Sequence, residues 1–123
     1  MGESIGSPPD NNMSAVTFEK QQSAVISCSA SGHNEIIAAP SQGYIAIDHI
    51  DFIPTTAVSV YLENGTTALT GVYPLDAKQA YTIENTTQNQ DGIFTMSPET
   101  AFQINLDATA EINGYVRYRI IGK

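Results

Sequence analysis

From residue 43 to residue 64 the chain reads GYIAIDHIDFI, then PTT, then AVSVYLEN. Apolar and polar residues alternate along both arms, the two-residue period of a strand with one side on a core. The Pro-Thr-Thr between them reads as a short turn joining an antiparallel pair, around which the rest of the chain is organised. In the second arm Val58, Val60 and Leu62 mark one inward face. In the first arm Ile45, Ile47, His49, Asp51 and Ile53 share one side, and Tyr44, Ala46, Asp48, Ile50 and Phe52 share the other. Neither side is cleanly apolar, so a bulge near Asp48 or Asp51 is predicted, moving the second half of the strand onto the opposite register.

The same pattern continues on both sides of this pair. Residues 23–29 (SAVISCS) and 33–39 (HNEIIAA) predict strands, the second stopped by Pro40, and residues 16–20 read as strand or turn. Asn64-Gly65 supplies the positive-φ dipeptide of a tight hairpin. A strand over 67–73 then ends at Pro74, Tyr81 and Ile83 begin another, and the polar stretch 85–91 is a loop closed by Gly92. Residues 93–96 are short and apolar, and Ser97-Pro98-Glu99 is a turn. Phe102, Ile104 and Leu106 alternate with polar residues. The last strand, 110–121, sets Tyr115, Arg117, Arg119 and Ile121 against Val116, Tyr118 and Ile120. No stretch sustains a 3.6-residue period.

Eight or nine short strands without a helix predict an all-β, antiparallel β-sandwich, and a jelly-roll-like topology is preferred. An immunoglobulin-like sandwich is the other arrangement, though the Cys, Trp, Cys set of a true immunoglobulin domain is missing. Residues 1–14, rich in Pro, Gly, Ser, Asp and Asn, predict an extended N-terminal arm, and residues 15–123 a single sandwich domain.

Composition narrows the function. Thirteen acidic residues against five basic ones give a formal charge of −8, which repels polyanions, so nucleic acid is not expected as a partner. No apolar run approaches the ~18 residues of a membrane span, and no membrane partner is expected. The start lacks both a basic stretch and an apolar one, which predicts a chain made and assembled in a cytoplasm. The lone Cys28 offers neither an intrachain disulfide nor a CxxC framework and reads as a small strand side chain.

Candidate chemistry is sparse. His49 with Asp51 and His33 with Glu35 repeat one spacing, from which a four-ligand metal cluster can be drawn, but without an HxH or CxxC signature they read as ordinary strand side chains. Ser7, Ser41 and Ser97 lie beside proline or in turns rather than in a nucleophile elbow. No enzyme activity, cofactor or metal is expected. Tyr44, Tyr61, Tyr73, Tyr81, Tyr115 and Tyr118 are the candidates for a sugar-stacking platform, weakened by the absence of tryptophan.

Several segments of the second half, in order and spacing, carry a resemblance. They are Thr67-Ala-Leu-Thr-Gly71, Leu75-Asp-Ala77, Asn85 through Gly92-Ile-Phe94, Ala101-Phe-Gln-Ile-Asn-Leu106 and Asn113-Gly-Tyr-Val-Arg-Tyr118. From about residue 36 to residue 121 the chain resembles small virion proteins of tailed bacteriophages, of the capsid decoration or cement type and similar to modules of head fibres. It departs from them in its acidic central strand and its longer, proline-bearing start. The resemblance implies a compact β-sandwich and a structural protein bound to the outside of the capsid, where it stabilises the shell by bridging subunits. It also implies a homotrimer, with the major capsid protein of the same particle as partner and the virion surface as location. In that setting the arm docks on a neighbour, making Ile5, Pro8, Pro9 and Met13 candidate oligomer or capsid contacts. Arg117 and Arg119, two cations on one strand face, either clasp a neighbour's carboxylates or solvate an outer strand. The alternative function is a carbohydrate- or receptor-binding sandwich module of a head fibre or tail.

Overall fold

The structure, a computed structural model, describes residues 20–85 and 90–122. The strands among these residues are β1 (Gln22–Cys28), β2 (Gly32–Ile37), β3 (Tyr44–Pro54), β4 (Val58–Asn64), β5 (Thr67–Ala68), β6 (Tyr73–Leu75), β7 (Tyr81–Glu84), β8 (Phe94–Thr95), β9 (Phe102–Leu106) and β10 (Ile112–Ile121). They form two antiparallel sheets. The first runs β1-β10-β3-β7 with β8 also on β3, and the second runs β2-β9-β4-β5 with β6 also on β4. First pairs with last, second with second to last, and so inward to the β4-β5 hairpin, which is the nested order of a jelly roll.

The core lies between the sheets. Ile26, Ile45, Ile47, Ile50, Phe52, Ile112 and Val116 come from the first sheet, and Val60, Leu62, Phe102, Ile104 and Leu106 from the second, all essentially without solvent exposure. At about 25 cal/mol per Å² of apolar area removed from water, this double layer is the main force holding the sheets face to face.

The bulge predicted near Asp48 is there. Arg117 of β10 pairs with His49, but the next residue, Tyr118, pairs with Ile47, so Asp48 is the extra residue on β3. Its effect is the one the mixed pattern demands: Ile45 and Ile47 before it, and Ile50 and Phe52 after it, all reach the core.

The expected β3-β4 hairpin is corrected. β3 lies at the centre of the first sheet and β4 at the centre of the second, so residues 55–57 carry the chain from one layer to the other. Pro-Thr-Thr supplies none of the glycine or asparagine that a two-residue hairpin turn needs, and each strand finds better-matched neighbours, β10 for β3 and β9 for β4. The strand predicted over 67–73 is also broken. Leu69 N–H donates to Leu62 O (2.7 Å), after which the Thr70 hydroxyl, not a backbone carbonyl, receives the Leu62 N–H (3.2 Å). Pro74 therefore sits inside the short edge strand β6, where a missing N–H is tolerated. These breaks bring the strand number among the described residues to ten.

The hairpin at Asn64-Gly65 forms, with Asn64 paired to Thr67 and the positive φ (62°) on Gly65 alone. Lys20 precedes β1 outside any strand. The arm 1–14 and the stretch 16–19 lie outside the described residues.

Candidate functional site

Alternation along β1, β10, β3 and β7 sets the outer face of the first sheet. One row across it reads Ser23, Arg117, His49, Glu84, and the next Val25, Tyr115, Asp51, Thr82. His49 stacks on Tyr115 (centroids 5.1 Å apart, planes at 23°), and the Arg117 guanidinium lies 5.6 Å from the same ring. The Thr82 hydroxyl donates to Asp51 (3.1 Å), holding that carboxylate beside the aromatic group. The strand ladder fixes these positions, and the cation–π contact adds about 0.5–1 kcal/mol at such an open site. Nε2 of His49 is buried without a hydrogen-bond partner among the described residues. Ile53 lies further along the face, 41% exposed.

Of the two candidate cations, Arg117 is exposed on this face, whereas Arg119 is 3% exposed and turned to its own molecule. Its Nε donates to Asp48 Oδ2 and its Nη2 to Asp48 Oδ1, both at 2.8 Å. Gln21 and Asn85 add longer contacts to the same carboxylate, 3.1 and 3.5 Å. Burial alone pushes the Asp48 carboxyl up, but the Arg119 bonds and charge, with Gln21 and Asn85, outweigh it and hold the group below its ordinary value. At the bulge the structure gives Arg119 a carboxylate of its own chain, Asp48, in place of an open outer face. Ile5, Pro8, Pro9 and Met13 lie outside the described residues.

On the outer face of the second sheet, Glu63 of β4 is fully buried. Its Oε1 meets Nδ1 of His33, whose side chain is half-exposed, at 2.8 Å, and Asn105 Nδ2 stands 3.3 Å from the same nitrogen. Oε2 of Glu63 is buried with no partner among the described residues. If Nδ1 carries the proton and donates to Glu63, the imidazole Nε2 is the atom left to act outward. Nothing in the alternating sequence around Glu63 distinguishes it from a wet-face residue.

The two His-acid pairs do not combine. His33 and Glu35 stand on β2 of the second sheet, and His49 and Asp51 on β3 of the first, so the sandwich separates them. Among the described residues, no three His, Cys, Asp or Glu side chains come together as a metal site. The tyrosines are equally dispersed. Tyr81 is buried against Phe52 and edge-on to Tyr73, both at 4.9 Å, Tyr118 bonds to Gln22 (3.3 Å), Tyr44 donates to Asp91 (3.1 Å), and Tyr61 and Tyr115 sit on opposite sheets.

Two of the three glycines in the resembling segments, Gly92 and Gly114, are structural, whereas Gly71 has open space around it. A Cβ on Gly92 would overlap the Ile47 carbonyl, and one on Gly114 the Asp51 carbonyl, so both let the backbone approach β3. Comparison with family models, with curated proteins and with solved structures returned no match.

Proposed function

We propose that this chain is a non-enzymatic structural protein that binds the outside of a bacteriophage capsid, as a decoration or cement protein, with the major capsid protein as its partner. The observation that carries the reading is the outer face of the first sheet, where Tyr115, Arg117, His49 and Ile53 stand on rigid strands. Aromatic and arginine side chains with exposed aliphatic neighbours are the composition of protein-binding hot spots, and a sheet holds them without an ordering cost at binding. The resemblance of the second half supplies the kind of partner. The fold itself does not choose, since jelly rolls serve capsid and lectin domains alike.

The test is co-sedimentation of the purified chain with capsid shells of the phage that carries it. Wild type pellets with shells, and Tyr115→Ala with Arg117→Glu lowers the affinity by about tenfold or more while circular dichroism stays unchanged. No sedimentation with shells, together with glycan binding that depends on Tyr115 and Asp51, overturns this reading in favour of the carbohydrate-binding module.

A further inference from the structure

Sheet edges offer unpaired backbone groups, and proteins guard them with short strands, prolines, bulges or charges. Three of the four edges here carry such devices. β7 and β8, which share one edge of the first sheet, have four and two residues, and β7 ends on Glu84. In the second sheet β2 is bulged between Glu35 and Ile37 and carries the Glu35 charge, while the far edge consists of the two-residue β5 and the three-residue β6 with Pro74 at its centre. β1 carries none. Its seven residues, QSAVISC, hold no charge, proline or glycine, and they pair with β10 in unbroken register from Gln22 with Tyr118 to Cys28 with Ile112. No described residue pairs with its other side. Val25, at its centre, is 76% exposed, the most open large apolar side chain among the described residues.

We infer that β1 pairs with β1 of a second copy of this chain, antiparallel, about a two-fold axis at Val25. Pairing of β1 with a different edge of another copy needs a second unguarded edge, and the described residues provide none, so contact between copies is isologous. The register follows from the side chains. With Val25 opposite Val25, Ser23 stands opposite Ser27 on the outer face and Ala24 opposite Ile26 on the inner face, like against like, with Gln22 opposite Cys28 at the ends. The outer row becomes Tyr115, Val25, Val25, Tyr115, continuous across the axis, and it covers the exposed valine. The row beside it runs Arg117, Ser23, Ser27, Asn113, so the two arginines stay on opposite sides of the axis. Charge favours this edge again: in a chain of net charge −8, a seven-residue strand without a carboxylate is where two copies approach with least repulsion. The result is a two-fold dimer, distinct from the trimer that the family resemblance implies, and it stands independently of the capsid reading. A strand edge alone buries less than the ~1,200 Å² of a standard interface, so the dimer depends on concentration.

The experiment is light scattering of the full chain over a concentration series, with two variants. Wild type moves from 13.2 kDa toward twice that mass as concentration rises, and Val25→Lys, an exposed change, stays monomeric with unchanged circular dichroism and urea midpoint. In a Cys28→Ser background, Val25→Cys forms a disulfide-linked dimer on mild oxidation, whereas Ser23→Cys, facing Ser27 of the other copy, does not. A monomer at every concentration, or an oligomer of any size indifferent to Val25→Lys, overturns the proposal. So does cross-linking at residue 23 but not at residue 25. Protection of β1 amides from hydrogen exchange only when capsid shells are added overturns it in favour of a strand donated by another protein.

Discussion

Asp48 and Arg119, 71 residues apart in sequence, meet in a two-pronged ion pair with both N–O distances at 2.8 Å, at the position where β3 holds one residue more than β10. The extra residue turns the Asp48 carboxylate toward the guanidinium, and both side chains are nearly shut off from water, 10% and 4% exposed. A charge this enclosed is tolerable only while its partner is present.

Replacing Asp48 with Asn leaves that arginine buried beside a neutral group. Asp48→Asn is expected to cost about 3–5 kcal/mol in urea unfolding at pH 7. The sign of the pH effect follows from the lowered carboxyl. Stability from the pair is fully present above the ordinary carboxylate value of about 3.9 and is lost as pH falls through the lower folded value. Urea midpoints measured from pH 6 down to pH 2 therefore fall more steeply for wild type than for Asp48→Asn.

Gly114 and Gly71 make a matched pair of tests. Gly114→Ala drives a methyl group into the Asp51 carbonyl and the Phe52 backbone, a clash that costs about 3 kcal/mol or more and is relieved only by moving β10 off β3. Gly71, with open space around it, accepts alanine within about 0.5 kcal/mol. Equal thermal midpoints for the two variants would contradict the β3-β10 packing.

His33 supplies the only hydrogen bond found for the buried Glu63 carboxylate among the described residues. His33→Ala is expected to destabilise the fold by about 1–3 kcal/mol, and the loss shrinks in a Glu63→Gln background. A double-mutant cycle in urea that returns no coupling would separate the two residues energetically.

Cys28 lies on the core side of β1, half-buried, and burial pushes its thiol above the ordinary value. Less thiolate is present at neutral pH, so alkylation of the native chain is expected to be slower than in urea. Equal rates would place the thiol in open solvent.

The alternating positions carried much of this in advance. Val58, Val60 and Leu62, and Phe102, Ile104 and Leu106, repeat every second residue, and both sets are buried. The mixed faces of residues 44–53 can be reconciled only by an extra residue, so the bulge was legible too. Strand partners were not. Periodicity states which side of a strand is apolar and says nothing of which strand lies beside it, so β3 and β4 read as a hairpin although they occupy different sheets.

By itself the sequence determined that the chain is an antiparallel sandwich, where most strands fall, and that Gly65 turns a hairpin, because each is a local consequence of side-chain alternation and allowed backbone angles. Only the tertiary structure decided the jelly-roll order, the enclosure of Arg119 and Glu63, and the separation of the two His-acid pairs onto opposite sheets. Those depend on contacts between residues tens of positions apart. Two strands of identical pattern become neighbours or strangers according to how well their registers, bulges and edges fit, a comparison made only when the whole chain closes on one core.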